Sequence, residues 1–138
     1  MAGIKIQLLP KRVFNFATLA VGGTQKMALV ERIDVSQYTN AVVALQVHND
    51  GLTAGNSITF DLVGDGYTDD DPGLIFRTAS PLFASTSLTF SDSPRVFTYG
   101  GTARGHYAAL VVTANKTVAG VITATVSVDL ILRSPDDT

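Results

Sequence analysis

The sequence lacks cysteine and tryptophan and is poor in charge, with 16% charged residues among 138. Without cysteine the chain can form neither a disulfide framework nor a thiolate zinc site. The charged fraction lies below the roughly 25% that is usual for a domain in water. Two explanations stay open: either a partner or further copies cover part of the surface, or a β surface rich in Thr and Ser needs fewer charges.

Basic blocks and long apolar runs are also missing. The net charge is −2, and the nearest approach to a basic patch is Lys5, Lys11 and Arg12, too few residues for a phosphate-binding surface. No apolar run is long enough to span a bilayer. Residues 1–9 lack the apolar central region of a secretion signal. We therefore predict no nucleic-acid partner, no membrane partner and no secretion signal.

What the sequence does contain is apolar residues in alternation, which is typical of β-strands. In residues 122–133, Ile122, Val126 and Leu130 fall on one face, and Thr123 and Ser127 fall on the other. Such a segment has one side in a core and one side in water. Further strands are predicted at residues 1–8, 12–17, 26–35, 41–47, 57–62, 86–90, 95–99 and 107–114.

Eight or nine short strands separated by turn residues predict a sandwich or a barrel. The predicted fold is therefore all-β. Because long connections are mixed with tight turns, we favour a two-sheet antiparallel β-sandwich, jelly-roll-like, with about eight strands. Residues 1–138 form a single domain in this interpretation. Asp50-Gly51 predicts a tight reversal, and Gly100-Gly101 predicts another break in a strand.

An acidic segment follows the strand at residues 57–62, in a long connection of weak periodicity. Its carboxylates at Asp65, Asp69, Asp70 and Asp71 are the oxygen ligands that calcium prefers. The spacing fails the helix–loop–helix calcium pattern, since position six from Asp65 is not glycine and position twelve is not glutamate. A solvated acidic turn is the alternative to a calcium site, and no other cofactor is indicated.

Catalytic machinery is not indicated either. The two histidines, His48 and His106, both lie at predicted strand ends. Nucleophilic catalysis needs a histidine held beside a nucleophile by a third group, and no strand–turn–helix serine motif occurs. We predict a protein that is not an enzyme, with no catalytic residues.

Surface-binding residues are predicted in two places. Residues 1–8, with Ile4 and Ile6, could add a strand to a neighbour by edge pairing, or could pair within their own sheet. Around the long connection, Tyr67, Phe76 and Phe83 are candidates for contact with a partner. Tyr67 with Tyr99 could alternatively stack against a sugar.

Residues 31–48 and the Thr-rich strand at 123–133 resemble strands of small jelly-roll virion proteins of tailed bacteriophages. The resemblance implies a non-enzymatic structural protein of the virion, either a capsid decoration (cement) protein or a minor capsid or tail accessory protein. It would be assembled in the host cytoplasm and would bind the major capsid protein or another virion protein as a homo-oligomer, with a trimer favoured. The alternative is a carbohydrate-binding module, whose partner would be a glycan.

Overall fold

The computed structural model describes residues 3–64, 81–85, 87–89, 94–102 and 107–134. Within these ranges all regular structure is β, and no helix is long and apolar enough to cross a membrane. The strands are β1 (Gly3–Asn15), β2 (Thr24–Asp34), β3 (Asn40–Leu52), β4 (Ser57–Gly64), β5 (Ser87–Leu88), β6 (Arg95–Thr102), β7 (Tyr107–Asn115) and β8 (Ile122–Arg133). The predicted all-β fold is confirmed.

The eight strands form two antiparallel sheets of four. Sheet A has the order β1-β8-β3-β6 and sheet B has the order β2-β7-β4-β5. The first strand pairs with the last, the second with the seventh, the third with the sixth and the fourth with the fifth. This is the pairing of one long hairpin that has been rolled up, with β3–β8 and β4–β7 pairs closing each sheet. The two-sheet jelly roll predicted from the sequence is therefore the fold observed.

The alternating apolar residues of both sheets meet in one core between them. Phe60 of β4 is fully buried, and its ring packs edge to face against Phe14 of β1 at a centroid distance of 5.5 Å. The contact joins an edge strand of sheet A to an inner strand of sheet B. Burial of large apolar side chains of this kind is the dominant favourable contribution to folding.

Strand β7 is covered on both faces, as its unbroken apolar run predicts. Leu110 and Val112 face the core between the sheets. Ala109 and Val111 point to the opposite face of sheet B, where they are also buried and form a second cluster with Val63. A strand buried on both faces has no need of alternation, which explains why the period of two is lost here.

Strand β1 is continuous where two separate segments were predicted. It pairs with β8 from Gly3 to Asn15, with register shifts between Gln7 and Leu9 and between Leu9 and Arg12. Pro10 lies at the second shift. Proline lacks a backbone N–H, and it is tolerated in a strand at an edge or at a bulge, both of which apply here. The segment containing Ile4 and Ile6 thus pairs within its own sheet.

Two predicted turns are wrong. Asp50-Gly51 lies inside β3, paired with Ala124 and Thr123 of β8, and the chain reverses only after Leu52. Gly100-Gly101 lies inside β6. A Cβ atom at Gly100 would collide with the carbonyl oxygen of Ala41 in the neighbouring strand, so glycine serves close strand contact there and not a turn.

Candidate interaction surface at the β5–β6 edge

The two lateral sides of the sandwich differ in how the strand edges are protected. An edge strand presents unpaired backbone N–H and C=O groups, and proteins block such edges with bulges, prolines, charges or very short strands. On one side lie β1 and β2. Strand β1 carries Pro10, two register shifts and the basic residues Lys5, Lys11 and Arg12. Strand β2 has two register shifts, and Arg32 there has a positive φ of 57°. Both of these edges are poor templates for another strand.

The other lateral side is formed by β5 and β6, which differ in length. Strand β5 has only two residues, so it covers only Ile58 and Thr59 of β4. Strand β6 has eight residues that pair with β3 from Val47 to Asn40 without a register shift. Residues 96–102 contain no charged side chain and no proline. Among the described strands, β6 is therefore the only long edge without any of these protections.

Tyr99 closes the gap that the short β5 leaves in sheet B. Its side chain points inward from β6, and its hydroxyl donates a hydrogen bond to the Phe60 carbonyl of β4 at 2.5 Å. Two residues further along β4, the Leu62 carbonyl accepts a hydrogen bond from the Leu82 backbone amide at 2.9 Å. Burial first, and the charge of Asp61 second, raise the pKa of Tyr99 well above its ordinary value. Tyr99 thus acts as a neutral donor that links the two sheets.

Phe83 packs beside Tyr99 on this side. The two rings meet edge to face at a centroid distance of 6.4 Å. A Cβ atom at Gly101 would lie 3.2 Å from the Phe83 Cβ, so Phe83 lies directly over this glycine. Phe83, Phe97 and Tyr99 are all only partly buried against the core. The side of the sandwich is consequently lined by aromatic rings that remain partly open to solvent.

An ion pair lies at the Arg95 end of β6. The Arg95 guanidinium donates to both carboxylate oxygens of Asp50, at 3.1 and 2.7 Å. The Asp50 side chain is fully buried and that of Arg95 is 20% exposed. The guanidinium also lies 5.4 Å from the centre of the Phe97 ring. Two parallel charge-assisted bonds are a strong and geometrically specific contact, which fixes the start of β6 against β3.

The residues predicted to bind a partner are distributed unevenly. Ile4 lies at the start of β1 with 42% of its surface exposed, while Ile6 is half-buried against the core. Phe83 belongs to the β5–β6 edge. Outside the described residues lie the interaction candidates Tyr67 and Phe76, together with His106 and the predicted calcium ligands Asp65, Asp69, Asp70 and Asp71. Within the described part of the chain, no group of three or more His, Asp or Glu side chains could hold a metal.

His48 lies on the outer surface of sheet A at a register shift in β3. Its Nε2 lies 3.1 Å from the Ser127 hydroxyl of β8. A serine–histidine contact resembles part of a nucleophilic site, but such a site also needs a group that orients the histidine. The contact joins neighbouring strands of the same sheet, where polar pairs of this kind stabilise pairing.

Sequence reasoning did not identify the β5–β6 edge as a site. Arg95 and Asp50 are separated by 45 positions, and Tyr99 and Phe60 by 39. Both contacts arise only because the jelly roll brings β6 beside β3 and across from β4. One signal was available: residues 96–102 carry no charge, whereas β1, the other edge strand of the same sheet, carries several basic residues.

The raised pKa of Tyr99, caused by burial first and by Asp61 second, predicts a loss of stability at alkaline pH. Because the pKa of Tyr99 is higher in the folded than in the unfolded protein, its contribution is complete below the unfolded value, near 10, and is lost as pH rises above it. Tyr99→Phe should cost about 0.5–1.5 kcal/mol at neutral pH. It should also lose less stability than the wild type between about pH 10 and 12.

Urea unfolding across this pH range measures the effect, with Tyr38→Phe as the control that removes a different tyrosine hydroxyl. Parallel decline of the wild type and Tyr99→Phe above pH 10 would show that Tyr99 is not held neutral by the fold.

No protein-family model matches the chain, and no curated protein matches it. Among the solved structures that match the chain are the following three. A chain in the structure of the infectious bursal disease virus Gx strain has a TM-score of 0.56 at 11% identity; the match covers 99% of this chain and 34% of the viral one. A Bacillus endospore appendage, from a family of disulfide-linked pili, has a TM-score of 0.41 at 13% identity, covering 96% and 89% of the two chains. Dimeric latent PorU from Porphyromonas gingivalis has a TM-score of 0.41 at 11% identity, covering 96% and 12%.

The similarity to the viral chain, with a TM-score of 0.56, concerns the fold alone. This chain spans about a third of the length of the viral chain, so it corresponds to one part of that protein. The described residues thus form a β-sandwich of the kind found in a virus structure.

Proposed function

We propose that this protein is a non-enzymatic structural component of a virion. The observation that carries the proposal is the jelly-roll strand order, together with a match over 99% of the chain to a chain in a virus structure. Because one fold can serve many functions, the surface of the protein has to support the proposal as well. Among the described residues, that surface offers a long strand edge without proline, bulge or charge at residues 96–102, lined by aromatic residues, which suits binding to other proteins.

The finer form of the proposal is a bacteriophage capsid decoration protein, or a minor capsid or tail accessory protein. Its support is the resemblance of residues 31–48 and 123–133 to strands of small phage jelly rolls. Such a protein would bind the major capsid protein or another virion protein as a homo-oligomer. Each copy would bury a modest area against the particle. Because the copies are linked in one symmetric oligomer, the oligomer would bind more tightly than a single copy.

The carbohydrate-binding alternative gains no support from the described residues. It relied on Tyr67, which lies outside them, and on Tyr99. The Tyr99 hydroxyl donates a hydrogen bond to the Phe60 carbonyl of its own fold, and its ring packs against that of Phe83. A sugar platform needs an exposed aromatic face, so we do not propose this function.

Mass spectrometry can test whether the protein is part of a virion. The sample is particles purified by density gradient from host cells that carry the coding sequence. We expect peptides of this chain in the particle band, in a constant ratio to those of the major capsid protein. The control is the same gradient fraction from cells without particles. Absence of the chain from intact particles, while it is present in the lysate, would overturn the proposal.

A further inference from the structure

We propose that β6 is a self-association strand, which pairs antiparallel with β6 of a second copy so that sheet A continues across two molecules. This inference rests on the proposed function. The β6 pair would be the contact through which copies of the virion protein associate.

Strand β6 is exposed to solvent along much of its length. All eight residues of the strand are exposed or only partly buried, whereas its neighbour β3 contains six buried residues. Val96, on the outer surface, is 62% exposed. No strand among the described residues pairs with β6 on the side away from β3. Since backbone N–H and C=O groups on a strand edge bond best to another extended backbone, the partner that fits is a strand.

Charge favours a second copy of β6 over the other edges of the molecule. The only charged residue of β6 is Arg95, at its end, and the guanidinium of Arg95 already binds Asp50. Two copies of residues 96–102 therefore meet without like charges. Two copies of β1 would instead bring together Lys11 and Arg12 from each molecule, which is unfavourable, while Lys5 is paired with Asp129.

The side chains of β6 also fit a two-fold arrangement. A register centred on Thr98 places Thr98 opposite Thr98 of the partner, and Val96 opposite Gly100. A larger side chain then faces the smallest one on the outer surface. On the inner surface, the partly exposed rings of Phe97 and Tyr99 would become covered by the partner strand. Burial of aromatic area and formation of backbone hydrogen bonds both favour the pair.

A two-fold contact of this type closes at two copies, because the same strand serves both sides. A trimer, which the phage resemblance implies, has no two-fold axis and would need a different, heterologous contact in place of this pair. Solution mass separates the two outcomes: a β6 pair has twice the 14.6 kDa mass of the chain, and a trimer has three times that mass.

The absence of native cysteine makes a crosslinking test direct. We expect Thr98→Cys to form a disulfide-linked dimer under mild oxidation, because directly opposed residues of an antiparallel pair have Cβ atoms about 4.5–5.5 Å apart. Val13→Cys is the matched control, since Val13 is 68% exposed on β1, the opposite edge strand of the same sheet. Equal and slow crosslinking of both variants would overturn the proposal.

Light scattering across a concentration series provides the second measurement. Thr98→Lys places two positive charges opposite each other, and we expect it to raise the dissociation constant of the dimer at least about tenfold at low salt. Val13→Lys carries the same charge on the other edge and should leave the constant unchanged. Salt near 1 M should reduce the difference, because it screens repulsion.

A wild type that stays monomeric at the highest concentration would overturn the β6 pair. So would association that Thr98→Lys leaves unaffected, since the contact would then lie elsewhere. Neither result bears on whether the chain is present in virions, which the particle analysis decides separately.

Discussion

Replacing Arg95 with alanine is expected to lower the free energy of unfolding by about 3–5 kcal/mol. The reason is the position of its partner: the Asp50 carboxylate is fully buried and receives both of its hydrogen bonds from Arg95. Removal of the guanidinium leaves a buried negative charge without compensation. Urea unfolding monitored by circular dichroism measures the loss, which would be a large fraction of the 5–15 kcal/mol typical of a domain.

Two comparisons make the Arg95 result specific. Lys5→Ala breaks the exposed Lys5–Asp129 pair, whose atoms are 3.8 Å apart, and should cost less than about 1 kcal/mol. The double variant Asp50→Leu with Arg95→Met removes both charges and should recover part of the loss, since a buried pair can often be replaced by apolar residues. If Arg95→Ala and Lys5→Ala cost the same, then the Asp50 site is not shielded from water.

Replacing Phe60 with alanine is expected to have a comparable effect, also about 3–5 kcal/mol. Phe60 is fully buried on β4, where it contacts Phe14 of the other sheet. Its removal leaves a cavity at the centre of the sandwich and takes away the contact that joins the two sheets there. Thermal or urea unfolding measures the change.

Phe60→Leu keeps most of the volume and should cost clearly less than alanine at the same position. Val13→Ala, at a site 68% exposed, should change stability by no more than about 0.5 kcal/mol. A small effect of Phe60→Ala, similar to that of Val13→Ala, would contradict the assignment of Phe60 to the core between the sheets.

Local alternation in the sequence was sufficient to predict most strands. The pattern of residues 122–133 predicted β8 with its observed bounds, because one face of this strand lines the core and the other carries Thr and Ser. The apolar run of β7 correctly predicted a strand covered on both faces. These predictions succeed because burial on one face of a strand gives alternating apolar residues, and burial on both faces gives a continuous apolar run.

The errors arise where long-range contacts decide a local structure. Asp50-Gly51 has the composition of a turn, yet the pairing of Asp50 with Arg95 keeps it inside β3. Gly100 also suggests a break, yet the absence of a side chain is what allows β6 to approach Ala41 so closely. Neither the distant arginine nor the neighbouring carbonyl can be read from the residues nearby.

The β5–β6 edge could not be predicted for the same reason. Its definition depends on which strands end each sheet, and strand order follows from topology. Ile4 and Ile6, which are predicted to bind a partner, lie on β1, the same strand as Pro10. Their role in binding and that of Phe83 remain predictions.

Cryo-electron microscopy of the purified virion can show whether this jelly roll is a structural part of a virus particle. We expect density for a sandwich of this topology at symmetry-related positions on the shell or tail. A complete reconstruction in which all protein density belongs to other chains, and in which no such sandwich is bound, would contradict it.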